Sequence, residues 1–261
     1  MINTNNASRS PRRALGLATA LASAAGLMLA APVQAQFKLG DVVKSVKKVA
    51  EATSYSDADI VLLFGQMADE MDRENPIAPL NDPYGLRLAE LTEGLQSYDG
   101  LDLDIRAYLV SDVNAFAMGD GTVRVFAGLM DNFEDDELRC VIGHEIGHVK
   151  LEHGQKRMKR TLQQDAVLSV AKTASVDVRR LSNSELGNLF GNVVTAQHSQ
   201  DAERASDDYA IRFMKANGYD AGACVTAMEK LGSLGGGGGI ELLKTHPSPA
   251  ARAKRMQKNL D

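Results

Sequence analysis

The segment from Cys140 to Val149 is apolar except for three side chains that bind metals or protons, His144, Glu145 and His148. An acidic run at 134–137 lies two residues before it, which is typical of the positive end of a helix dipole. The apolar residues recur at helical spacing: Val141, Ile142, Ile146 and Val149. Because a buried helix seldom carries two histidines and a glutamate unless they have partners, the sequence predicts a core helix with a polar site.

His144 and His148 stand four residues apart, which puts both on one face of a helix with their Cβ atoms about 6 Å apart. Both imidazoles can then reach one tetrahedral zinc ion. Glu145 lies beside that metal without binding it. We expect Glu145 to act as general base, because zinc lowers the pKa of a bound water toward ~7. The alternative, two surface histidines on a helix, does not explain the apolar surroundings.

A catalytic zinc site needs a third protein ligand and an open position. The residues after His148 lack the spaced third histidine of one common extension of this motif, so we expect a glutamate from a second helix. Glu203 is the candidate, with Asp207 one turn later on the same face. Asp207 can accept the free N–H of a metal-bound His144. Without the two upstream histidines, these carboxylates would indicate only a solvated acidic helix face.

The rest of the chain predicts an α+β fold, mostly helical, with a small sheet beside the HExxH helix. Further helices are expected at Leu39 to Ala52, Ser56 to about Arg73, about Pro83 to Leu95, and Asp201 to Asn217. Strands are expected at 103–110 and 122–126, the second after a hairpin-type turn at 119–121. The five glycines at 235–239 predict a mobile loop, either a linker or a flap beside a substrate cleft.

Residues 1–35 are typical of a secretory signal peptide, which would leave 36–261 as the mature domain. Three arginines precede an apolar run at 14–31, and a small-residue cleavage site ends at Ala35. A membrane anchor is the alternative, since the run could just span a bilayer, but Pro32 interrupts it. Paired arginines in the leader leave the twin-arginine export route open. The mature chain carries no predicted membrane span.

Charge and cysteine content limit the partners and the compartment. The chain has 29 basic and 34 acidic residues, and without the leader's three arginines 26 basic residues remain, for a net charge near −8. This excess of acidic residues, with the basic ones scattered, disfavours a nucleic-acid partner. Cys140 and Cys224 are the two cysteines. They could form one disulfide in an oxidising compartment or remain two buried thiols.

Three motifs carry a family resemblance: HEIGH, the later QDAERASDDYA and the terminal HPSPAAR. They resemble the gluzincin zinc peptidases that include the CAAX-prenyl endopeptidases and HtpX. The stretch VSDVNAFAMGDGTVRVFAGLMD is most similar to their periplasmic LoiP/BepA-like branch. The resemblance implies a zincin fold with one zinc ion per chain, held by His144, His148 and Glu203. It also implies that Glu145 is the base and that Asp207 supports the metal ligands.

The sequence leaves more than one role open for His246 and for His153. In the periplasmic relatives a histidine of the HP motif lies near the metal and can fill the fourth site as a latency switch. In related gluzincins a distal histidine stabilises the oxyanion, and an exposed loop histidine is the third interpretation of His246. His153 follows His148 by five residues and cannot share its face well. We expect His153 to pack beside the site or to support a metal ligand.

The resemblance implies a metalloendopeptidase of periplasmic protein quality control that cleaves unfolded or misfolded envelope proteins, with peripheral association to the envelope left open. We expect the strand at 122–126 to be a sheet edge to which an extended substrate adds. The candidate substrate-binding residues are Asn114, Thr122, Val123, Arg124 and Val125. The competing function is a zinc-bound chaperone or assembly factor kept latent by His246. A structural zinc site is disfavoured, because it would be closed by four ligands and would not use Glu145.

Overall fold

The computed structural model describes residues 55–169, 182–235 and 240–260. The predicted signal peptide, the predicted helix at 39–52 and residues 236–239 of the glycine run lie outside this part of the chain. The helices are α1 (Asp57–Glu74), α2 (Pro83–Leu91), α3 (Ala127–Asn132), α4 (Asp135–Lys150), α5 (His153–Ser169), α6 (Asn183–Val193), α7 (Gln200–Ala216), α8 (Ala223–Gly235), α9 (Glu241–Thr245) and α10 (Pro249–Leu260). The strands are β1 (Ser97–Tyr98), β2 (Leu101–Asp102), β3 (Asp104–Tyr108), β4 (Ala115–Ala117) and β5 (Thr122–Phe126).

Local signals set most helix ends. Ser56 caps α1 through a capping box with Asp59, and Asn217 ends α7 as expected. Helix α2 ends earlier than predicted, at Leu91, because the Thr92 hydroxyl donates to the Leu88 carbonyl at 2.8 Å and closes the last turn. Within the described ranges, no helix combines the length and the apolarity that a membrane crossing requires.

The three longer strands form one sheet in the order β3-β5-β4. Strand β5 runs parallel to β3 and antiparallel to β4. The prediction that 122–126 forms a sheet edge is therefore wrong, since both sides of this strand are already paired. A short run of apolar and β-branched residues suits a central strand and an edge strand equally, and only the long-range pairing with β3 decides between them. Strand β4 is the outer strand on the other side of β5.

Arg124 is buried at the centre of this sheet, with 1% of its surface exposed. Its guanidinium donates to Asp72 of α1 at 2.8 Å and to Asp104 of β3 at 2.9 Å. Tyr108 donates to the same Asp72 at 2.6 Å. A buried arginine is tolerated only when its charge and its donors are matched in this way. Its side chain ties the sheet to α1, and a contact of Arg124 with substrate remains a prediction.

The sheet lies between two apolar clusters, so both of its faces are covered. Ala107, Ala115, Val123 and Val125 face the larger cluster, which contains α4, α7, α8 and α10. Tyr108, Phe116 and Phe126 face the smaller cluster, which contains α1 and α6. Alternation along each strand produces this division. The mostly helical α+β architecture with a small sheet beside α4 confirms the predicted fold class.

Helix α4 is buried along most of its length and packs closely against α7. Two glycines permit this approach. A Cβ atom at Gly147 would lie 3.1 Å from Tyr209 and 3.2 Å from the Cα of Ser206, and one at Gly143 would lie 2.5 Å from Phe213. Any larger residue would push the helices apart. Gly147 of the HEIGH motif and Gly143 just before the motif therefore set the distance between α4 and α7.

Cys140 of α4 and Cys224 of α8 form a disulfide, with their Cα atoms 5.3 Å apart. Of the two states left open by the sequence, the structure has the disulfide. The bond closes a loop with a sequence separation of 84 and fastens the histidine-bearing helix to the helix that precedes the C-terminal segment. Both sulfur-bearing side chains lie in the larger apolar cluster.

Candidate metal centre

Helix α4 places the two motif histidines side by side. The Nε2 atoms of His144 and His148 lie 3.0 Å apart, and both rings are almost fully buried. The spacing of four residues produces this geometry, since it brings both side chains to the face that meets α7. Two imidazole nitrogens that converge in this way are typical of metal ligands.

Helix α7 brings the predicted carboxylates to the same point. Oε1 of Glu203 lies 3.4 Å from Nε2 of His148, and Oε2 lies 3.7 Å from Nε2 of His144. One turn later, Oδ1 of Asp207 lies 3.0 Å from Nδ1 of His144. Asp207 thus contacts the nitrogen of His144 that faces away from the cluster, and it can fix the ring with Nε2 free of a proton.

His246 ends the short helix α9 and joins the same cluster. Its Nδ1 lies 3.0 Å from Oε1 of Glu203 and 3.3 Å from Nε2 of His144. Its Nε2 lies 3.5 Å from Oε1 of Glu145. Only 4% of the residue is exposed, so His246 is not an exposed loop histidine. His246 therefore lies where a fourth metal ligand would lie, beside His144 and Glu203. Its ring also occupies the space next to Glu145.

The donor atoms of His144, His148, Glu203 and His246 all lie within 4.8 Å of one another and could hold a metal ion. Four ligands held tetrahedrally by zinc at ~2.0–2.2 Å lie roughly 3.4 Å apart. The contacts in the cluster range from 3.0 to 3.7 Å. Oε1 of Glu145 is buried and accepts no hydrogen bond from the described residues. These side chains therefore fit a tetrahedral metal with a carboxylate poised beside it.

All five histidines of the chain meet at this site. Nδ1 of His153 lies 3.0 Å from Nδ1 of His148, so His153 contacts the nitrogen that faces away from the cluster. The ring centroid of His198 lies 4.0 Å from that of His148. Burial lowers the pKa of His153 to about 4 and that of His198 to about 2, so both rings are neutral near pH 7. Sequence reasoning did not identify His198, although it immediately precedes Ser199, the N-cap of the helix that carries Glu203.

Arg252 of α10 is the second residue that the sequence did not identify as part of the site. Its Nε lies 3.0 Å from Oδ2 of Asp207, and its Nη1 lies 2.7 Å from Oε2 of Glu203. Burial disfavours its charge, but the hydrogen bond and the charge of Asp207, with the charge of Glu203, raise the pKa of Arg252 above its usual value. Its position in the terminal HPSPAAR motif was the available signal. Arg252 fixes two carboxylates that contact the histidines.

A cavity of about 270 Å³ opens beside β4 and reaches the site. Asn114, the residues of β4, Glu145 and His246 line it. Among the predicted substrate-binding residues, Asn114 thus lies at the cavity. Thr122, Val123, Arg124 and Val125 belong to the central strand, and Thr122 and Arg124 line a separate cavity with Asp72 and Asp104.

Strand β4 presents an open backbone edge to this cavity. The N–H of Phe126 donates to the carbonyl of Asn114, and the N–H of Met118 donates to that of Thr122. In an antiparallel pair these bonding positions alternate. Ala115 and Ala117 therefore direct their N–H and C=O groups away from β5.

We expect Arg252→Met to destabilise the metal-free protein by about 3–5 kcal/mol, because it removes the guanidinium that pairs with the buried carboxylates of Asp207 and Glu203. The control is Arg255→Met on the same helix, whose half-exposed partner Asp208 should make the loss at most about 1 kcal/mol. Denaturant unfolding in the presence of a chelator measures both changes. Equal, small losses in the two variants would contradict the role of Arg252.

The sequence model of Peptidase family M48 matches residues 95–260. Metalloprotease LoiP of Escherichia coli K12 is 38% identical over 217 residues, covering 83% of this chain and 86% of LoiP. Metalloprotease YcaL of the same organism is 33% identical over 242 residues, covering 92% of this chain and 95% of YcaL. Among solved structures, Ste24p of S. mikatae matches with a TM-score of 0.44 and 18% identity, covering 83% of this chain and 62% of that one.

The family match spans more than half of the chain, and the two bacterial metalloproteases match over most of their own lengths. The residues matched by the family model include α4, α7 and α10. These helices supply the motif histidines, the carboxylates and Arg252. These findings confirm the family resemblance of the motifs. The chain belongs to Peptidase family M48 and is a metalloendopeptidase.

Proposed function

We propose that this endopeptidase is zinc-dependent, with one zinc ion held by His144, His148 and Glu203 and with Glu145 as general base. The observation that carries the proposal is the convergence of these buried donor atoms next to a Glu145 oxygen that accepts no hydrogen bond from the described residues. Two imidazoles and one carboxylate with an open fourth position are a ligand set of catalytic zinc sites. Borderline-soft zinc suits this mixture of nitrogen and oxygen donors.

Each side chain around the site has a chemical task. When bound, zinc supplies Lewis acidity, which lowers the pKa of water toward ~7. Glu145 accepts a proton from the attacking water and can pass it to the leaving amine. Asp207 and His153 accept the Nδ1 protons of His144 and His148, so that both Nε2 atoms carry free lone pairs. Arg252 holds Asp207 and Glu203 in place.

The substrate is an extended segment of an unfolded or misfolded protein that adds to β4 as a new strand. The N–H and C=O groups of Ala115 and Ala117 would bond to its main chain, next to the cavity that contains Glu145. Main-chain bonding of this kind gives affinity with little sequence preference. Asn114 lies at the end of this edge and is a candidate for a further polar contact. The substrate edge is therefore β4, not β5 as the sequence predicted.

We place the activity outside the cytoplasm, in quality control of envelope proteins in the periplasm. The signal-peptide pattern at 1–35 and a mature domain at 36–261 remain predictions that this proposal uses. The Cys140–Cys224 disulfide supports the placement, because disulfides persist in oxidising compartments and are rare in the cytosol. The likeness to LoiP and YcaL is in accord with it. Peripheral contact with the envelope is compatible with a described chain that has no membrane-spanning helix.

A second candidate function is favoured by the position of His246. Its contacts with Glu203, His144 and Glu145 put its ring where substrate and water must enter. In this arrangement the protein would rest as a latent zinc-bound form, which could serve as a chaperone or assembly factor. We propose that latency is a resting state of the peptidase, and that His246 leaves the site when substrate binds.

We expect Glu145→Gln to keep one zinc per chain and to lose proteolysis of unfolded casein by about 10²–10⁴-fold, because it removes the base and leaves the ligands intact. Elemental analysis and peptide release measure the two properties. The control is Glu152→Gln, an exposed glutamate just beyond α4, which should change neither. Chelator treatment of the wild type should also stop cleavage. Zinc loss in Glu145→Gln would refute the assigned role.

We expect His246→Ala to raise proteolysis of unfolded casein, because the variant frees the fourth position and the space beside Glu145. Lys244→Ala, an exposed change on the same short helix, serves as the control and should leave the rate unchanged. A fall of about 10²–10³-fold would instead indicate that His246 stabilises the oxyanion. An unchanged rate would eliminate both roles.

A further inference from the structure

His198 is the one histidine of the cluster to which the proposed mechanism gives no task. Its ring stacks on that of His246, with the centroids 5.1 Å apart and the planes at 22°. It also lines the cavity that contains Glu145. Its backbone N–H donates to the Thr245 carbonyl at 2.9 Å. The side chain is therefore held at the wall of the substrate cavity.

Arg157 determines which nitrogen of His198 carries the proton. Nη2 of Arg157 lies 3.2 Å from Nδ1 of His198. A guanidinium donates hydrogen bonds and accepts none, so Nδ1 is the acceptor, and the proton of the neutral ring is on Nε2. The same guanidinium donates to the carbonyls of Val193, Ala196 and Gln197. Because Arg157 is fixed by these bonds, the tautomer of His198 is fixed with it.

The Nε2–H of His198 is a donor without a partner in the part of the chain that the structure describes. Its neighbour His246 touches both His198 and Glu145. When His246 leaves, the vacated space adjoins both the base Glu145 and the ring of His198. Water deprotonated by Glu145 could attack a peptide carbonyl in that space. The carbonyl oxygen could then accept a hydrogen bond from Nε2–H of His198.

We propose that His198 is a catalytic residue whose Nε2–H donates to the oxygen of the scissile carbonyl as negative charge develops on it. This inference rests on the proposed function. The proton stays on His198, so the step needs no acid and no exchange with solvent. A fixed donor aimed at a developing oxyanion is worth about 10²–10³-fold in rate. The oxyanion role then belongs to His198 and the restraining role to His246.

The test compares His198→Phe with His198→Gln, each in the His246→Ala protein so that latency does not mask the effect. The phenylalanine variant keeps an aromatic ring in contact with His148 and removes the Nε2–H donor. We expect kcat to fall about 10²–10³-fold with KM within about twofold and zinc at one per chain. The glutamine amide returns an N–H group and should recover part of the loss. Full kcat in His198→Phe would overturn the proposal, as would a loss confined to KM or to zinc content.

His153→Phe serves as the contrasting variant, since His153 supports a metal ligand and its loss should appear in zinc affinity. An independent measurement uses the intact zinc-loaded protein, whose five histidines allow their ring nitrogens to be resolved by ¹⁵N NMR. A proton on Nδ1 of His198 would overturn the proposal even if a variant fails to fold. If Glu145→Gln abolishes cleavage while His198→Phe does not, the peptidase function stands and this inference falls. If chelator leaves cleavage unchanged, both fall.

Discussion

The close packing of α4 against α7 is the constraint on which the site depends. Gly143 and Gly147 leave no side chain between the helices, so that Phe213 and the backbone at Ser206 come into direct contact with α4. At this separation a glutamate on one helix reaches two imidazoles on the other. Metal sites tolerate errors of only about 0.2 Å in ligand distance. Helix packing, more than the ligand side chains themselves, therefore sets the geometry.

Charge balance gives a second, independent reason to expect a metal. Glu145, Glu203 and Asp207 are buried together, and burial of unpaired charge is strongly unfavourable. Arg252 is the cation in contact with Glu203 and Asp207. Arg252 supplies one positive charge, and a divalent cation would supply the other two that three carboxylates require. The arginine also explains why the C-terminal helix belongs to the site although it supplies no metal donor.

Motifs and helix ends that depend on neighbouring residues could be predicted from the sequence. Contacts between segments that are distant along the chain could not. The HExxH spacing, the N-cap at Ser56 and the end of α7 at Asn217 each depend on residues a few positions apart. The place of β5 in the sheet depends on its pairing with β3. The burial of Arg124 could not be predicted locally either, because its partner Asp72 lies 52 residues away.

The site residues divide in the same way. Glu203 and Asp207 could be identified because a zinc site needs a third ligand and because the family motif contains them. His198 stands directly before the N-cap of α7, but its ring contact with His148 joins residues 50 positions apart and is not visible in the local sequence. Arg252 stands in a recognisable motif, but its partners are on another helix. The role of such residues becomes visible only when the helices are packed.

The central claim is that His144, His148 and Glu203 hold a catalytic zinc ion. X-ray diffraction from crystals of the zinc-loaded protein, measured above and below the zinc absorption edge, tests it most directly. The account predicts one anomalous peak per chain, at ~2.0–2.2 Å from both Nε2 atoms and from a carboxylate oxygen of Glu203. A peak bound elsewhere, or zinc held without Glu203, would contradict it.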